Sequence, residues 1–355
     1  MTSWLKRSMV RCGLLLLMWA ASCPFLFGDI AVHFIDVGQA DAILVECDGE
    51  NMLVDGGNGA DSSLIYAYLK RHRIRRIKYL VNSHPHEDHV GGLPGALNYA
   101  TVERGFSSYR HYDSDAFQDY VDYLSMQDVE LEVLEAGASL SLGGATVRVL
   151  GPLVRDSEVN NNSLVLHVEY GSVSFLLTGD LERDGEDSLL DAGMVPDCTV
   201  LKVAHHGSRD SSGYRFLRSA LPEYAVISVG RDNSYGHPTE EVLGRLEDAG
   251  AAVFRTDWHG HVVAKSDGTE LSFSVERNAA GTVAETAAGK QAAGREARTS
   301  VPAPAAYILN TSSKKFHLPT CSAAKRIKDA NRKDADYSRQ HLLDQDYEPC
   351  GLCRP

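Results

Sequence analysis

The densest chemistry in this chain is the run His84-Pro85-His86-Glu87-Asp88-His89. Neutral imidazoles and carboxylates are the usual ligands of zinc and similar divalent ions. His84, His86, Asp88 and His89 are therefore candidate metal ligands, and a polar loop with incidental histidines explains so crowded a run poorly. One run rarely completes a metal site. Two more segments repeat the pattern of a strand exit followed by a ligand. Thr178-Gly179-Asp180 follows the apolar stretch Ser174 to Leu177, and Ala204-His205-His206-Gly207-Ser208 follows Val200 to Val203. Asp180 stands where a carboxylate can bridge two metals, and His205 or His206 supplies another imidazole.

A divalent ion lowers the pKa of a bound water from 15.7 to about 7. A two-metal site would thus present hydroxide at neutral pH to phosphorus or to a carbonyl carbon. Asp88 can orient that nucleophile while binding metal. His237, in Tyr235-Gly236-His237-Pro238, is a candidate for holding a substrate oxyanion or protonating the leaving group; a plain turn histidine is the alternative. Asp36 and Asp55 stand at strand ends, where they are expected to hold ligand histidines in register. His167 reads as a satisfied mid-strand histidine or, less simply, as a further ligand. His259 and His261 read as surface or rim residues on a hairpin.

These residues need a scaffold of strands and helices. Strands are expected over 29–37, 42–46, 52–55 and 77–82, then 146–150, 164–170, 174–178, 200–203, 224–228, 253–256 and 270–275. Helical spacing covers 62–72, 93–99, 116–124, 214–220 and 240–249, and Gly91-Gly92 suggest a tight turn after the histidine run. Strands interleaved with helices imply a layered α/β domain over 29–275. Residues 276–306 lose apolar periodicity and read as a flexible linker. A compact module follows over 307–355. Cys47 and Cys198 lie in apolar contexts and read as buried thiols.

The segments Phe34-Ile35-Asp36-Val37-Gly38-Gln39-Ala40-Asp41-Ala42, Leu53-Val54-Asp55-Gly56-Gly57 and His84 to His89 resemble the metallo-β-lactamase superfamily. With Leu177-Thr178-Gly179-Asp180-Leu181-Glu182, Lys202-Val203-Ala204-His205-His206-Gly207-Ser208 and Tyr235-Gly236-His237-Pro238, they look more narrowly like the soluble domain of the ComEC competence-protein family. The resemblance implies an αββα sandwich with two divalent metals, zinc or manganese, at one edge. It implies His84 and His86 on the first ion, Asp88, His89 and His205 or His206 on the second (His206 preferred, since it precedes a glycine), and Asp180 bridging. Many members supply a third histidine to the first ion. Here that region reads Asn160-Asn161-Asn162-Ser163, so Asn160 and Ser163 are candidates to line the site instead, and manganese gains ground.

The C-terminal module carries His317-Leu318-Pro319-Thr320-Cys321 and Cys350-Gly351-Leu352-Cys353. Two such pairs on so short a chain suggest a structural zinc held by His317, Cys321, Cys350 and Cys353. A disulfide would leave one of the three cysteines unpaired. The segment resembles the zinc-binding domain of Ada-type DNA repair proteins, with His317 in place of a cysteine, so that family's methyl transfer does not carry over. Nine Lys or Arg against six acids make the module mildly basic.

The whole chain is acidic, with net charge −13, and its average surface repels duplex DNA. Lys6, Arg7 and Arg11 precede an apolar run from Cys12 to Ala21, the pattern of an export signal over residues 1–28. Cleavage before Cys23 would give a lipoprotein and cleavage after Gly28 a free protein; an uncleaved anchor is the third option. The expectation is an exported hydrolase (periplasmic, membrane-anchored or extracellular), most simply a phosphodiesterase or nuclease with DNA or another phosphodiester as partner. Hydrolysis of a small envelope ester, such as a phosphocholine ester or lactone, is the alternative enzyme reading. A non-catalytic envelope binding protein on the same fold is the alternative outside catalysis.

Overall fold

A computed structural model describes residues 28–277, 305–337 and 339–353. The expected signal segment and nearly all of the expected linker fall outside these residues. The first unit has fifteen strands. In chain order they are β1 (Ile30–Phe34), β2 (Ile43–Cys47), β3 (Glu50–Val54), β4 (Arg76–Asn82), β5 (Thr101–Ser107), β6 (Leu131–Val133), β7 (Ser139–Leu142) and β8 (Ala145–Gly151). There follow β9 (Val165–Tyr170), β10 (Val173–Leu177), β11 (Val200–Lys202), β12 (Tyr224–Ile227), β13 (Ala252–Arg255), β14 (Val262–Ser266) and β15 (Leu271–Val275). One sheet has the order β15-β14-β1-β2-β3-β4-β5-β6 and the other β13-β12-β11-β10-β9-β8-β7.

Period-two alternation explains the layering. Ile30, Val32 and Phe34 of β1 meet Val147, Val149, Leu166, Val168 and Phe175 in a core between the sheets. The outward residues Ile35, Leu44, Leu53 and Leu80 form a second core, covered by α1 (Ser62–His72), α2 (Glu87–Val90), α3 (Leu93–Leu97) and α4 (Asp115–Ser125). On the far side, Leu176, Leu201, Ala225 and Ile227 form a third beneath α5 (Arg183–Asp191), α6 (Tyr214–Ala220) and α7 (Glu240–Asp248). The result is an αββα sandwich.

Several elements depart from the sequence expectation, among them β5, β6, β7 and α5, which no local pattern announced. The residues Val262–Ser266 form an unanticipated strand paired antiparallel with β1. His259 does not sit on a hairpin: it closes a short helix, α8 (Thr256–His259), and is only 2% exposed. Gly91 and Gly92 make the expected turn between α2 and α3, with ordinary φ values of −62° and −89°. Their missing side chains serve close approach, because a Cβ on Gly92 would stand 1.9 Å from the Gly56 carbonyl oxygen.

The C-terminal unit is a four-stranded sheet, β18-β16-β17-β19, of β16 (Ala305–Asn310), β17 (Lys315–His317), β18 (Arg332–Tyr337) and β19 (Glu348–Pro349), with α9 (Arg339–Asp344). Its small core centres on Tyr307, Leu309, Phe316 and Leu342. Arg183–Glu348 at 2.9 Å and an Arg339–Asp248 ion pair join it to the sandwich. Among the described residues no helix is long and apolar enough to cross a membrane.

Candidate metal centre

The strands of both sheets deliver their ligand-type side chains to one edge. The buried strand β4 ends at Asn82, and the next residues reach His84 and His86 before α2 begins. One ligand atom each from Asp88, His89, Asp180 and His206 lie within 4.8 Å of one another. His89 Nε2 stands 3.3 Å from Asp180 Oδ1, and His206 Nε2 is 3.3 Å from Asp88 Oδ2 and 3.7 Å from Asp180 Oδ2. His84 Nε2 lies 4.0 Å from Asp180 Oδ2 and 3.1 Å from His86 Nδ1. Asp180 therefore sits between the His84–His86 pair and the Asp88–His89–His206 group. His205 also reaches it, at 3.6 Å, but turns its Nδ1 to Glu182 at 3.1 Å.

The backbone strains to make this arrangement. His205 and His206 adopt left-handed φ values of 49° and 52°, followed by Gly207 at 85°. Such conformations cost of order 1–3 kcal/mol each for a residue with a side chain. Asp55 is likewise at φ 59°. Its Oδ1 accepts the Ser83 amide at 2.7 Å, while Oδ2 accepts the Ser83 hydroxyl at 2.6 Å and His89 Nδ1 at 2.9 Å. Nδ1 of His89 is thereby held on Asp55, and Nε2 faces the cluster. His206 is tied in the same way, with Nδ1 donating to the Ser228 carbonyl at 3.0 Å. Ser163 Oγ accepts the Asp180 amide at 3.1 Å, and Asn160 donates to Glu182 at 2.9 Å.

Two functional partners had no role in the sequence reading. Asp41 and Lys202 form a fully buried ion pair at 2.8 Å, and Asp41 Oδ1 also lies 3.4 Å from His206 Nδ1. Burial opposes ionisation of Asp41, but the Lys202 ammonium and His206 overcome it and hold the carboxyl well below its usual range. The available signal was a lysine inside the apolar run Val200 to Val203, since a buried ammonium requires an acidic partner. Asp36, in contrast, does not support the site: it pairs with Arg277 at 2.7 Å, and its amide donates to His261. His167 faces the outer layer beside Glu169, at 3.9 Å, and takes no part in the cluster.

Burial and charge act in opposite directions on the imidazoles. Burial pushes His84 well below its ordinary value. It also opposes charge on His89 and His206, but Asp180 and its neighbouring carboxylates outweigh it, raising His89 strongly and His206 to about 10. His89 Nε2 and Asp180 Oδ1 are both buried without a hydrogen-bond partner. Facing ligand atoms that are left unsatisfied while their other atoms are anchored fit a divalent cation.

His237 borders the centre, its ring centroid 5.7 Å from that of His205. The Gly230 amide donates to Gln39 Oε1 at 3.1 Å, which turns the Gln39 amide nitrogen toward His237 Nδ1 at 3.5 Å. That orientation leaves the His237 proton on Nε2. Burial, reinforced by the charges of His205 and His206, lowers His237 to about 4. Beside it opens a cleft of about 580 Å³, lined by Arg231, Asn233, His237, Arg255, Asp257 and Trp258 among others.

The C-terminal unit holds a separate cluster. Ligand atoms of His317, Cys321, Cys350 and Cys353 lie within 4.8 Å of one another. The Cys321 and Cys350 sulfurs are 4.0 Å apart, Leu318 N–H donates to Cys353 Sγ at 3.4 Å, and all described cysteines are unbridged. His317 Nδ1 is buried without a partner.

Comparison with known proteins agrees with this architecture. Residues 35–121 match the metallo-beta-lactamase superfamily. The chain is 30% identical over 271 residues to ComE operon protein 3 of Bacillus subtilis, an alignment that covers 71% of this chain and 35% of that one. It is 33% identical to competence protein ComA of Neisseria gonorrhoeae, covering 65% and 32% respectively. A shorter match, 38% identical over 66 residues, is to the human zinc phosphodiesterase ELAC protein 1, covering 19% of this chain and 17% of that one. The chain thus spans about a third of the length of the competence-type relatives. The matched motifs and the two-sheet architecture agree: residues 35–121 match the metallo-β-lactamase superfamily, the sandwich has that fold, and the chain is similar to the ComEC-type proteins.

Proposed function

We propose that the sandwich domain is a metal-dependent hydrolase of phosphodiesters, with nucleic acid as its foremost substrate class. The observation that carries this reading is the meeting of His89 Nε2 and Asp180 Oδ1, both buried and unpaired, with Asp88 and His206 alongside. His84, His86 and Asp180 would hold one divalent ion; Asp88, His89, His206 and Asp180 the other. Two imidazoles and a carboxylate on the first ion suit manganese as well as zinc. When bound, the ions supply Lewis acidity and an acidified water.

The chain's own residues do the rest. Asp55 and the Ser228 carbonyl fix which nitrogen each ligand imidazole presents. Asp88, partly exposed at the rim, faces the nucleophile's position. His237 is neutral and carries its proton on Nε2, which equips it to donate to a substrate oxygen. His205, braced by Glu182, lies beside it. The similarity to a zinc phosphodiesterase and to competence proteins supports a phosphodiester over a β-lactam. In the same reading His317, Cys321, Cys350 and Cys353 hold a structural zinc, the mildly basic module offers a DNA contact, and the N-terminal segment directs export.

The test is cleavage of single- and double-stranded DNA by the full chain with manganese or zinc. Asp180→Asn should lower the rate about 10³-fold, the ~4 kcal/mol of charge stabilisation that the paired metals provide. Hydrolysis of a lactone or phosphocholine ester but not of DNA would move the chain to the small-ester class. No hydrolysis of any of these by the metal-loaded chain would leave it a binding protein.

A further inference from the structure

A second set of ligand-type side chains gathers on the outer face of the first sheet, and none of them belongs to the centre described above. β1 alternates, so Ile30, Val32 and Phe34 enter the core between the sheets while His33 points the other way, toward α1. There it meets Glu46 of β2 and His72, the last residue of α1. One ligand atom from each of the three lies within 4.8 Å of the others.

His33 is 2% exposed. Its Nε2 stands 2.9 Å from Glu46 Oε1, yet the ring N–H direction misses that oxygen, and Nε2 is left buried without a hydrogen-bond partner. The other ring nitrogen, Nδ1, is engaged by the Tyr68 hydroxyl at 2.8 Å. With Nδ1 engaged by the Tyr68 hydroxyl, His33 turns Nε2 toward Glu46 and His72. This is how a ligand imidazole is usually oriented by a partner on its far side. Tyr68 also stacks on the His72 ring, at 4.5 Å between centroids and 25° between planes, and His72 stands edge-on to His33 at 5.0 Å. One buried tyrosine therefore orients both imidazoles.

The surroundings suit a cation. His72 closes α1, where the unsatisfied carbonyls of a helix C-terminus carry partial negative charge. Glu46 and His72 are only partly buried, which gives an ion a path in and leaves a coordination position open to water. Arg71 and Lys265 act on the cluster from exposed positions, where their charges oppose a cation.

We propose that His33, Glu46 and His72 form a further divalent-cation site, of the two-histidine, one-carboxylate type that takes zinc or a similar borderline ion. The ion would clamp the paired strands β1 and β2 to the end of α1, on the face opposite the core between the sheets.

The test is a zinc count on the full chain. Wild type, His72→Ala and Glu46→Gln are dialysed against the same low zinc concentration, and zinc per folded chain is measured by mass spectrometry. Both variants should carry one equivalent less than wild type while the remaining zinc is kept. Glu46→Gln is nearly isosteric and covers the case in which His72→Ala disturbs the helix end. A zinc-edge anomalous peak among the three side chains in a crystal is the direct readout. Equal zinc content in all three proteins with no such peak would overturn the proposal and show a plain His33–Glu46 ion pair. The count is made without substrate, so it stands or falls apart from the hydrolase reading.

Discussion

The chain builds two ligand clusters by opposite means. The Asp88–His89–Asp180–His206 group rests on a sandwich with three apolar cores, and each imidazole is fixed from behind by Asp55 or by the Ser228 carbonyl. The His317–Cys321–Cys350–Cys353 group sits on a four-stranded sheet whose main core has six buried residues. In the sandwich, packing energy supports a costly cluster of strained backbone and buried charge. In the module little apolar surface is gathered, and the proposed zinc ligands would then have to hold the structure. Equal ligand geometry can thus be a consequence of a fold or a condition for it.

The sharpest way to break this contrast is to remove a sulfur. Cys350→Ser should unfold the module outright, because a structural zinc contributes about 10–16 kcal/mol of apparent binding free energy to such a fold. Limited proteolysis should then cleave within residues 305–353 and spare 28–277. A module that stays protected would show that its small core suffices alone, and the contrast would fail.

A smaller effect is expected from Asp55→Asn. Asparagine accepts the same left-handed backbone, so the sandwich should keep its melting temperature within a few degrees. The ring of His89 would lose its anionic anchor, and metal affinity or activity should fall about 10–100-fold. Equilibrium dialysis with the metal alone measures this, and a cooperative loss of fold would mean that this cluster too is structural.

The smallest effect concerns Glu186, buried at the seam between the two units, with its carboxylate accepting the Ser212 and Gly213 amides. Burial pushes its carboxyl up to about 7, against the pull of those amides and of Arg183. The folded state therefore keeps a proton that the unfolded chain, with an ordinary value of 4.5, releases. Stability from this group is full below pH 4.5 and is lost as the pH rises to about 7. Glu186→Gln should flatten that slope in denaturant melts of the sandwich and leave the module unaffected. An unchanged slope would assign it to other groups.

Residue spacing makes some of this legible. Helices α1 and α6 begin and end where apolar periodicity places them, since their buried faces repeat with the helical period. Strand β14 was hidden because Val262–Ser266 is brief and follows a polar run, and its pairing with β1 on one side and β15 on the other defines it. Helix α5 was hidden for a different reason: its first turns are mostly charged, and its apolar contacts come only from Leu189 and Leu190 near its end. Similarly, the His84–His89 run announces metal chemistry locally. The Asp41–Lys202 pair and the diversion of Asp36 to Arg277 depend on which strand ends meet, which no local pattern encodes.

The β1–β14 pairing has a consequence for how the domain comes into being. Register runs from Ile30 opposite Ser266 to Phe34 opposite Val262, so the first strand of the sandwich waits for nearly the last. A growing chain can join β1 to β2 early but leaves the other flank of β1 bare until residue 266 has been made. The exposed flank is a sticky edge during synthesis, and long-range closure of this kind is slow. The same pairing brings the two ends of the domain side by side, so the sandwich can be spliced into a longer polypeptide, or lifted out of one, with its layers intact.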